Sequence, residues 1–126
     1  MADNKQVAGQ VVNDFIAAWG RLNIDELVSF FTEDAVYHNI PMRPATGKAS
    51  IRKVITALMR GVTGIRFEVH HQITSGNVVI NERTDHTEMG DKKFSLPVAG
   101  VFEIENGKIK AWRDYFDLET YMKQVR

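Results

Sequence analysis

The chain has 126 residues, of which 44% are hydrophobic and 25% charged, and this composition is typical of one globular domain, residues 1–126, with a single core. Sixteen basic residues balance sixteen acidic ones, which argues against a nucleic-acid partner. The chain has no cysteine, so disulfides, thiolate nucleophiles and cysteine metal sites are excluded.

The chain shows no targeting or membrane signal. Residues 1–5 lack the basic and then apolar order of a signal peptide, and no apolar run approaches the length of a membrane span. We therefore expect a cytoplasmic protein with no membrane contact.

The first third of the sequence has helical periodicity. Apolar residues recur at helical spacing over residues 7–19 and stop at Gly20, which predicts a first helix. Asn23, three residues before Glu26, resembles a capping box and predicts a second, short helix. The residues expected on its inward face are Leu27, Phe30 and Phe31.

One strand and one further helix complete this helical part. Residues 35–39 are predicted to form a short strand, and prolines and a glycine over residues 41–47 indicate an irregular crossing. Apolar residues from Ile51 to Met59 then predict a third amphipathic helix that ends near Gly61.

From Arg66 onward the period changes from 3.6 to 2, which predicts four strands joined by turns. The first should place Phe67, Val69, His71 and Ile73 on one face. Turns at residues 75–77, 89–91 and 106–107 separate it from strands that begin at Val78, at Phe94 and at Ile109. A last helix should begin at Asp117, as its N-cap, or at Leu118. The fold class is therefore α+β, with a curved, mostly antiparallel sheet wrapped around the N-terminal helices.

Two charged strings place ionisable residues where a small domain normally has apolar core. Arg83 and Asp85 are two apart on one strand and so share a face. On the last strand Asp114 shares a face with Trp112 and Phe116, and the opposite face should carry Ile109, Ala111, Arg113 and Tyr115. A carboxylate between two aromatics is costly without a cation, and a guanidinium can bind two carboxylates at once. This trio indicates either an acid–base pocket or a buried ion pair that only fixes strand register.

The chain resembles the limonene-1,2-epoxide hydrolase family, a group of cone-shaped domains related to nuclear transport factor 2, ketosteroid isomerase and the small polyketide cyclases. The resemblance covers nearly the whole chain. The strings that carry it are residues 33–41, Glu82-Arg83-Thr84-Asp85, Gly100-Val101-Phe102 and residues 112–118, with Tyr37-x-Asn39, Arg83-x-Asp85 and Trp112-Arg113-Asp114-Tyr115-Phe116-Asp117 the most specific.

This resemblance implies a site and a reaction. Asp85 would protonate the epoxide oxygen, Asp114 would deprotonate the attacking water, and Arg83 would hold both. Tyr37 and Asn39 would complete the water site. The implied substrate is a small apolar epoxide, and the implied assembly is a homodimer, for which Val101 and Ala99 on the outer sheet face offer apolar surface.

The pocket lining is expected to include Leu58, Thr87, Leu96, Val98 and Phe116, and Thr87 is more polar than the family's type member suggests. The four histidines lack a helical ligand spacing, and adjacent His70 and His71 should point to opposite faces of their strand. We therefore expect no metal site, and the absence of a nucleotide-binding loop predicts no organic cofactor.

Two other functions use the same scaffold. One is an isomerase or cyclase in which an Asp moves a proton beside a carbonyl, and the other is a non-catalytic module that binds a small ligand or a second copy. An isomerase needs one base and an oxyanion donor, and a binding module has no need to bury three charges. The sequence therefore favours the hydrolase.

Overall fold

The computed structural model describes residues 4–125. Its elements are α1 (Asn4–Trp19), α2 (Ile24–Ser29), β1 (Phe31–Asn39), β2 (Ala45–Thr46), α3 (Lys48–Met59), β3 (Gly64–Ser75), β4 (Val78–Met89), β5 (Lys92–Glu105), β6 (Lys108–Tyr115) and α4 (Leu118–Val125). The six strands form one sheet in the order β2-β1-β6-β5-β4-β3. The β1–β6 pair is parallel, and the other four pairs are antiparallel. The predicted α+β class with a mostly antiparallel sheet is confirmed.

The second helix is shorter than predicted. The Asn23 side chain accepts the Glu26 N–H at 3.0 Å, as the capping pattern requires, but the Glu26 carboxylate binds Arg21 at 2.9 Å instead of returning to Asn23. Phe30 is the C-cap, and Phe31 begins β1. The prediction that Phe30 and Phe31 lie within the helix was wrong. Both side chains face inward, so the helical spacing of apolar residues continues past the end of the helix and does not mark where it ends.

The irregular crossing contains a two-residue strand, β2, which the sequence did not predict. Ala45 and Thr46 pair with Tyr37 and Val36 of β1. The predicted Asn-Gly hairpin is present: Asn106 and Gly107 have φ values of 52° and 76°, the conformation that a tight hairpin turn requires.

A β-bulge in β6 corrects one predicted face. Glu103 pairs with Ala111 and Ile104 with Ile109, so Lys110 is an extra residue in the ladder. Ile109 is consequently fully buried in the core beside Trp112. The prediction that Ile109 lies on the opposite face from Trp112 was wrong. Because Lys110 is an extra residue, the alternation of side chains between the two sheet faces is reversed beyond the bulge.

A second bulge, in β3, corrects the histidine prediction. Val69 pairs with Arg83 and His71 with Glu82, so His70 is extra. His70 bonds the Thr84 hydroxyl at 2.8 Å and His71 lies 4.0 Å from the Glu82 carboxylate. Both histidines therefore face outward, on one side of the sheet. Beyond the bulge the alternation is reversed, and Ile73, predicted to share a face with Phe67, is 70% exposed.

An aromatic cluster fills the space between α1 and the inner sheet face. Trp112 lies at its centre and is fully buried. Its ring stacks on Tyr37 at 4.2 Å and on Phe102 at 5.4 Å, across three neighbouring strands. The rings of Phe15 and Trp19 from α1 meet Trp112 edge-on at 5.0 and 5.8 Å. This packing holds the centre of β6 rigidly under the helices.

The last helix is anchored at both ends. The Asp117 carboxylate accepts the Thr120 N–H at 3.0 Å, as the predicted N-cap should. Near the other end the Gln124 amide exchanges two hydrogen bonds with the Ser95 backbone, at 3.0 and 2.8 Å. Among residues 4–125 there is no helix with the length and apolar character needed to cross a membrane.

Candidate active site

Arg83 of β4 is at the centre of the site. It is 1% exposed. Its Nε and Nη2 donate to the two oxygens of Asp85, each at 2.9 Å, and its Nη2 and Nη1 donate to the two oxygens of Asp114 at 2.8 and 3.2 Å. The structure thus brings together the three charged residues selected from the sequence, with one guanidinium joining two carboxyl groups.

Asn81 and a chain of amides behind it orient the guanidinium, and sequence reasoning assigned none of them a role. The Asn81 side-chain oxygen accepts from Arg83 Nη1 at 3.1 Å, while its nitrogen donates to Gln72 at 3.1 Å. Gln72 in turn donates to Asn13 of α1 at 2.8 Å. Asn81 shares a strand face with Arg83, which was a usable signal, but the bulge at His70 concealed that Gln72 also faces inward.

Trp112 is the second contact that the sequence did not reveal. Its indole N–H donates to Asp114 Oδ1 at 2.6 Å, and both side chains are buried. The two residues are two apart on one strand face, so the spacing was compatible with this bond.

Tyr37 and Asn39 lie on β1, beside Asp114. Asn39 pairs with Asp114 and Tyr37 with Trp112 in the parallel register. Burial, and next the charge of Asp114, raise the pKa of the Tyr37 phenol well above its ordinary value, while a hydrogen bond with Asn39 opposes the rise. Tyr37 is therefore a neutral phenol at ordinary pH.

Gly100 of β5 leaves the space in which the polar side chains meet. It pairs with Asp114 on one side and with Asn81 on the other. A Cβ at this position would lie 2.5 Å from Arg83 Nη1, 2.8 Å from Asp114 Oδ1 and 3.1 Å from Asn81 Oδ1. A glycine inside a strand commonly marks such a close approach.

Burial and neighbouring charges shift the pKa values of Asp85 and Arg83. Burial raises the pKa of Asp85 above its usual range, although the bonds from Arg83 oppose that shift. Burial alone would lower the pKa of Arg83, but Asp114 and then Asp85 outweigh it and raise that pKa, so the guanidinium stays charged. Burial thus disfavours the charge of Asp85, while the Arg83 guanidinium between the two carboxyl groups keeps its charge.

The two carboxyl groups lie in the wall of a cavity of about 230 Å³. Arg83 does not line it, so its guanidinium lies behind the carboxyls. All five residues predicted to line the pocket do so, and Tyr37 and Asn39 join them. Further lining residues, which the sequence did not single out for this role, include Ile65, Phe67, Met89, Phe94, Tyr121 and Val125. Apart from one polar corner the wall is therefore mostly apolar.

The histidines lie away from this cavity wall. His86 of β4 bonds the Ser95 hydroxyl at 2.7 Å and the Glu68 carboxylate at 2.8 Å, on the outer face. Within the described part of the chain no three His, Asp or Glu side chains are placed to hold a metal ion together.

The sequence of this chain is similar to those of epoxide hydrolases. The family model described as the limonene-1,2-epoxide hydrolase catalytic domain matches residues 6–126. Epoxide hydrolase EphG of Mycobacterium tuberculosis is 32% identical over 114 residues, which cover 89% of this chain and 74% of that protein.

Solved structures agree at the level of the fold. A limonene-1,2-epoxide-hydrolase-like epoxide hydrolase of M. tuberculosis superposes with a TM-score of 0.83 at 29% identity, over 96% of this chain and 90% of that one. A SnoaL-like polyketide cyclase from Shewanella putrefaciens reaches a TM-score of 0.81 at 18% identity, over 94% of this chain and 95% of that one. The second likeness concerns the fold alone. With a family model that spans residues 6–126, the chain belongs to the limonene-1,2-epoxide hydrolase family and is an epoxide hydrolase.

Proposed function

We propose that this enzyme adds water directly to a small apolar epoxide, without a metal or organic cofactor, and forms a vicinal diol. The observation that carries the proposal is the pair of carboxyl groups joined by Arg83 at the polar corner of a mostly apolar cavity. Epoxide opening needs an acid and a base in opposite protonation states at one pH, and two carboxyl groups in one buried site titrate apart.

Asp85 is the acid in this scheme and Asp114 the base. The carbon–oxygen bond of the epoxide breaks toward the oxygen, which takes the proton of Asp85, while a water oxygen bonds to the carbon and gives its proton to Asp114. Return of that proton from Asp114 to Asp85 completes the cycle. The raised pKa of Asp85 supports this assignment, because the acid must hold its proton at working pH.

Tyr37 and Asn39 hold the attacking water in this proposal. Both line the cavity, and Asn39 lies directly across from the proposed base in the strand register. A neutral phenol and an amide supply a donor and an acceptor that leave one water proton directed at Asp114. The two side chains thus orient the water and take no proton themselves.

The substrate is a compact hydrocarbon epoxide. A cavity of about 230 Å³ is below the ~300 Å³ at which pockets for drug-sized ligands begin. Leu58, Leu96, Val98 and Phe116 offer the hydrocarbon body apolar contact, and Thr87 is a single polar group among them. The burial of alkyl carbons therefore supplies the binding, and the polar corner supplies the orientation.

Single turnover in ¹⁸O water tests direct attack. With enzyme in excess over a terpene, cyclohexene, cyclopentene or styrene oxide, the first-turnover diol should carry the label and the peptides holding Asp85 and Asp114 should not. Unlabelled diol together with label in either peptide would show that a carboxylate attacked the epoxide. A β,γ-unsaturated ketone is the control for isomerase activity, and the enzyme should leave it unchanged.

A homodimer is the proposed assembly. Ile80 is 49% and Tyr115 46% exposed on the outer sheet face, where Ile80 pairs with Val101 and Tyr115 with Ala99. An apolar patch of this kind commonly marks a contact surface. Light scattering at micromolar concentration should give twice the chain mass, and Ile80→Lys should give the mass of one chain. A single-chain mass for the unaltered protein would refute the dimer.

A further inference from the structure

The two carboxyl groups bound by Arg83 differ in one contact. Both oxygens of Asp85 accept from Arg83, and among the described side chains, those of residues 7–125, they have no other hydrogen-bond partner. Asp114 also receives two bonds from Arg83, and its Oδ1 accepts a third, at 2.6 Å, from the Trp112 indole. The indole N–H is therefore what makes the two environments unequal in donor number.

We infer that Trp112 is a positioning residue that keeps Asp114 ionised and so fixes it as the base of the pair. This inference rests on the proposed function. An indole N–H donates and cannot accept, so Asp114 Oδ1 cannot direct a proton at it. A donor to a carboxylate favours the charged form, which leaves the single proton of the pair on Asp85.

The indole cannot easily turn away from Asp114. Its ring lies between Tyr37, at 4.2 Å and 5° from parallel, and Phe102, at 5.4 Å and 15°. With no exposed surface, Trp112 has no free volume in which to change rotamer. The same ring therefore supports Tyr37 by stacking and Asp114 by hydrogen bonding.

The other titratable groups around Asp114 are few among the described residues. Arg83 and Asp85 face it from β4, and Tyr37 faces it from β1. Farther along the cavity wall the titratable groups are Arg60, at the end of α3, and Tyr121 of α4. The remaining packed elements, α1 and β5, contribute the neutral Trp19 and Gly100.

Trp112→Phe tests the inference, because it removes the N–H donor and keeps an aromatic ring, smaller than indole, between Tyr37 and Phe102. The acid limb of the kcat/KM profile is the low-pH side, where the proposed base takes up a proton and activity falls. It should move up by about one to two pH units, because the loss of a hydrogen bond to a charged carboxylate raises its pKa by about that amount. The maximal rate should fall by about tenfold.

Trp19→Phe is the matched control. Trp19 belongs to the same aromatic cluster, is 2% exposed, and its indole nitrogen has no hydrogen-bond partner within the described residues. Whatever this change does to rate, the acid limb should stay where it is in the unaltered enzyme. An unshifted limb in Trp112→Phe, or an equal shift in both variants, would overturn the inference.

A second measurement keeps the test valid where Trp112→Phe does not fold. The chain has two tryptophans, so ¹⁵N-labelled protein should give two indole N–H signals. The Trp112 signal should titrate at the midpoint of the acid limb, and this titration should vanish in Asp114→Asn. A pH-independent Trp112 signal would refute the inference. The titration needs no turnover, so failure to hydrolyse any epoxide would refute the proposed function while the indole signal still decides the role of Trp112.

Discussion

Replacement of Gly100 by alanine is the sharpest single perturbation of the site. The new methyl carbon would lie 2.5 Å from Arg83 Nη1 and 2.8 Å from Asp114 Oδ1. Contacts of this kind are comfortable at about 3.5 Å, so the guanidinium must retreat by about 1 Å. The Arg83–Asp114 bonds, now 2.8 and 3.2 Å, would then approach or exceed 3.5 Å, beyond hydrogen-bond range.

Two quantities should change together in Gly100→Ala. Overpacking should lower the free energy of unfolding by about 1–3 kcal/mol. Displacement of the groups that hold Asp114 should lower kcat/KM by about 10²-fold, the usual effect of a 1 Å misplacement. Thermal unfolding and initial-rate kinetics on the same preparation measure both.

Gly20→Ala is the control for the loss of a glycine. A Cβ there would meet the Ile65 carbonyl oxygen at an ordinary 3.5 Å, and Gly20 lacks a positive φ, as does Gly100. Its effects on stability should stay within about 1 kcal/mol. A Gly100→Ala enzyme with unchanged rate and unfolding temperature would show that Arg83 is not confined in the way described.

Three further predictions concern the charged groups. Asp85→Asn and Asp114→Asn should each lower kcat by at least about 10²-fold while the fold persists, because each change removes one proton transfer and keeps the side-chain volume. A near-normal rate in Asp114→Asn would mean that another group is the base. Arg83→Ala should lower kcat at least as much and should also lower the unfolding temperature, because two buried carboxyl groups lose their cation. Tyr37→Phe and Asn39→Ala should reduce kcat less than the Asp changes. A fully active Arg83→Ala enzyme would contradict this order. Because the pKa of Asp85 is raised in the folded protein, the unfolded chain loses this proton at a lower pH than the folded protein does. The contribution of Asp85 to the free energy of unfolding is therefore complete below the ordinary Asp pKa. It is lost as the pH rises through the pKa of Asp85 in the folded protein. Thermal melts across that window should show a decline with pH that is flatter in Asp85→Asn, and equal slopes would refute the raised pKa.

Periodicity predicted the four helices and five of the six strands, and it predicted the strand faces where the ladders are regular. The face of β4 that carries Asn81, Arg83 and Asp85 was read by counting residues in twos, and the structure brings Arg83, Asp85 and Asp114 together. The assignment of chemical roles came from the family resemblance, because an Asp–Arg–Asp cluster alone is equally compatible with a structural ion pair.

The faces that were predicted wrongly lie next to bulges. A bulge is set by the pairing partner and leaves no mark in the strand's own sequence, so Ile109 and Ile73 were given the wrong face. The Trp112–Asp114 bond was missed for a different reason. A tryptophan at a core position is ordinary, and only the distance from its indole nitrogen to the carboxylate distinguishes a hydrogen-bond donor from a packing residue.

The bulge at His70 also bears on how this family can vary in length. Val69 and Gln72 pair with Arg83 and Asn81 and so lie on the inner side of the sheet, Val69 at its exposed edge, with two outward residues between them where a regular strand has one. Deletion of His70 would leave a regular strand that presents the same inner residues to the site. β3 is an edge strand, so a change of one residue there disturbs no second neighbour. A one-residue gap at this point in an alignment of relatives is thus compatible with an unchanged active site, whereas a gap in β4 would turn Arg83 or Asp85 to the outer face of the sheet.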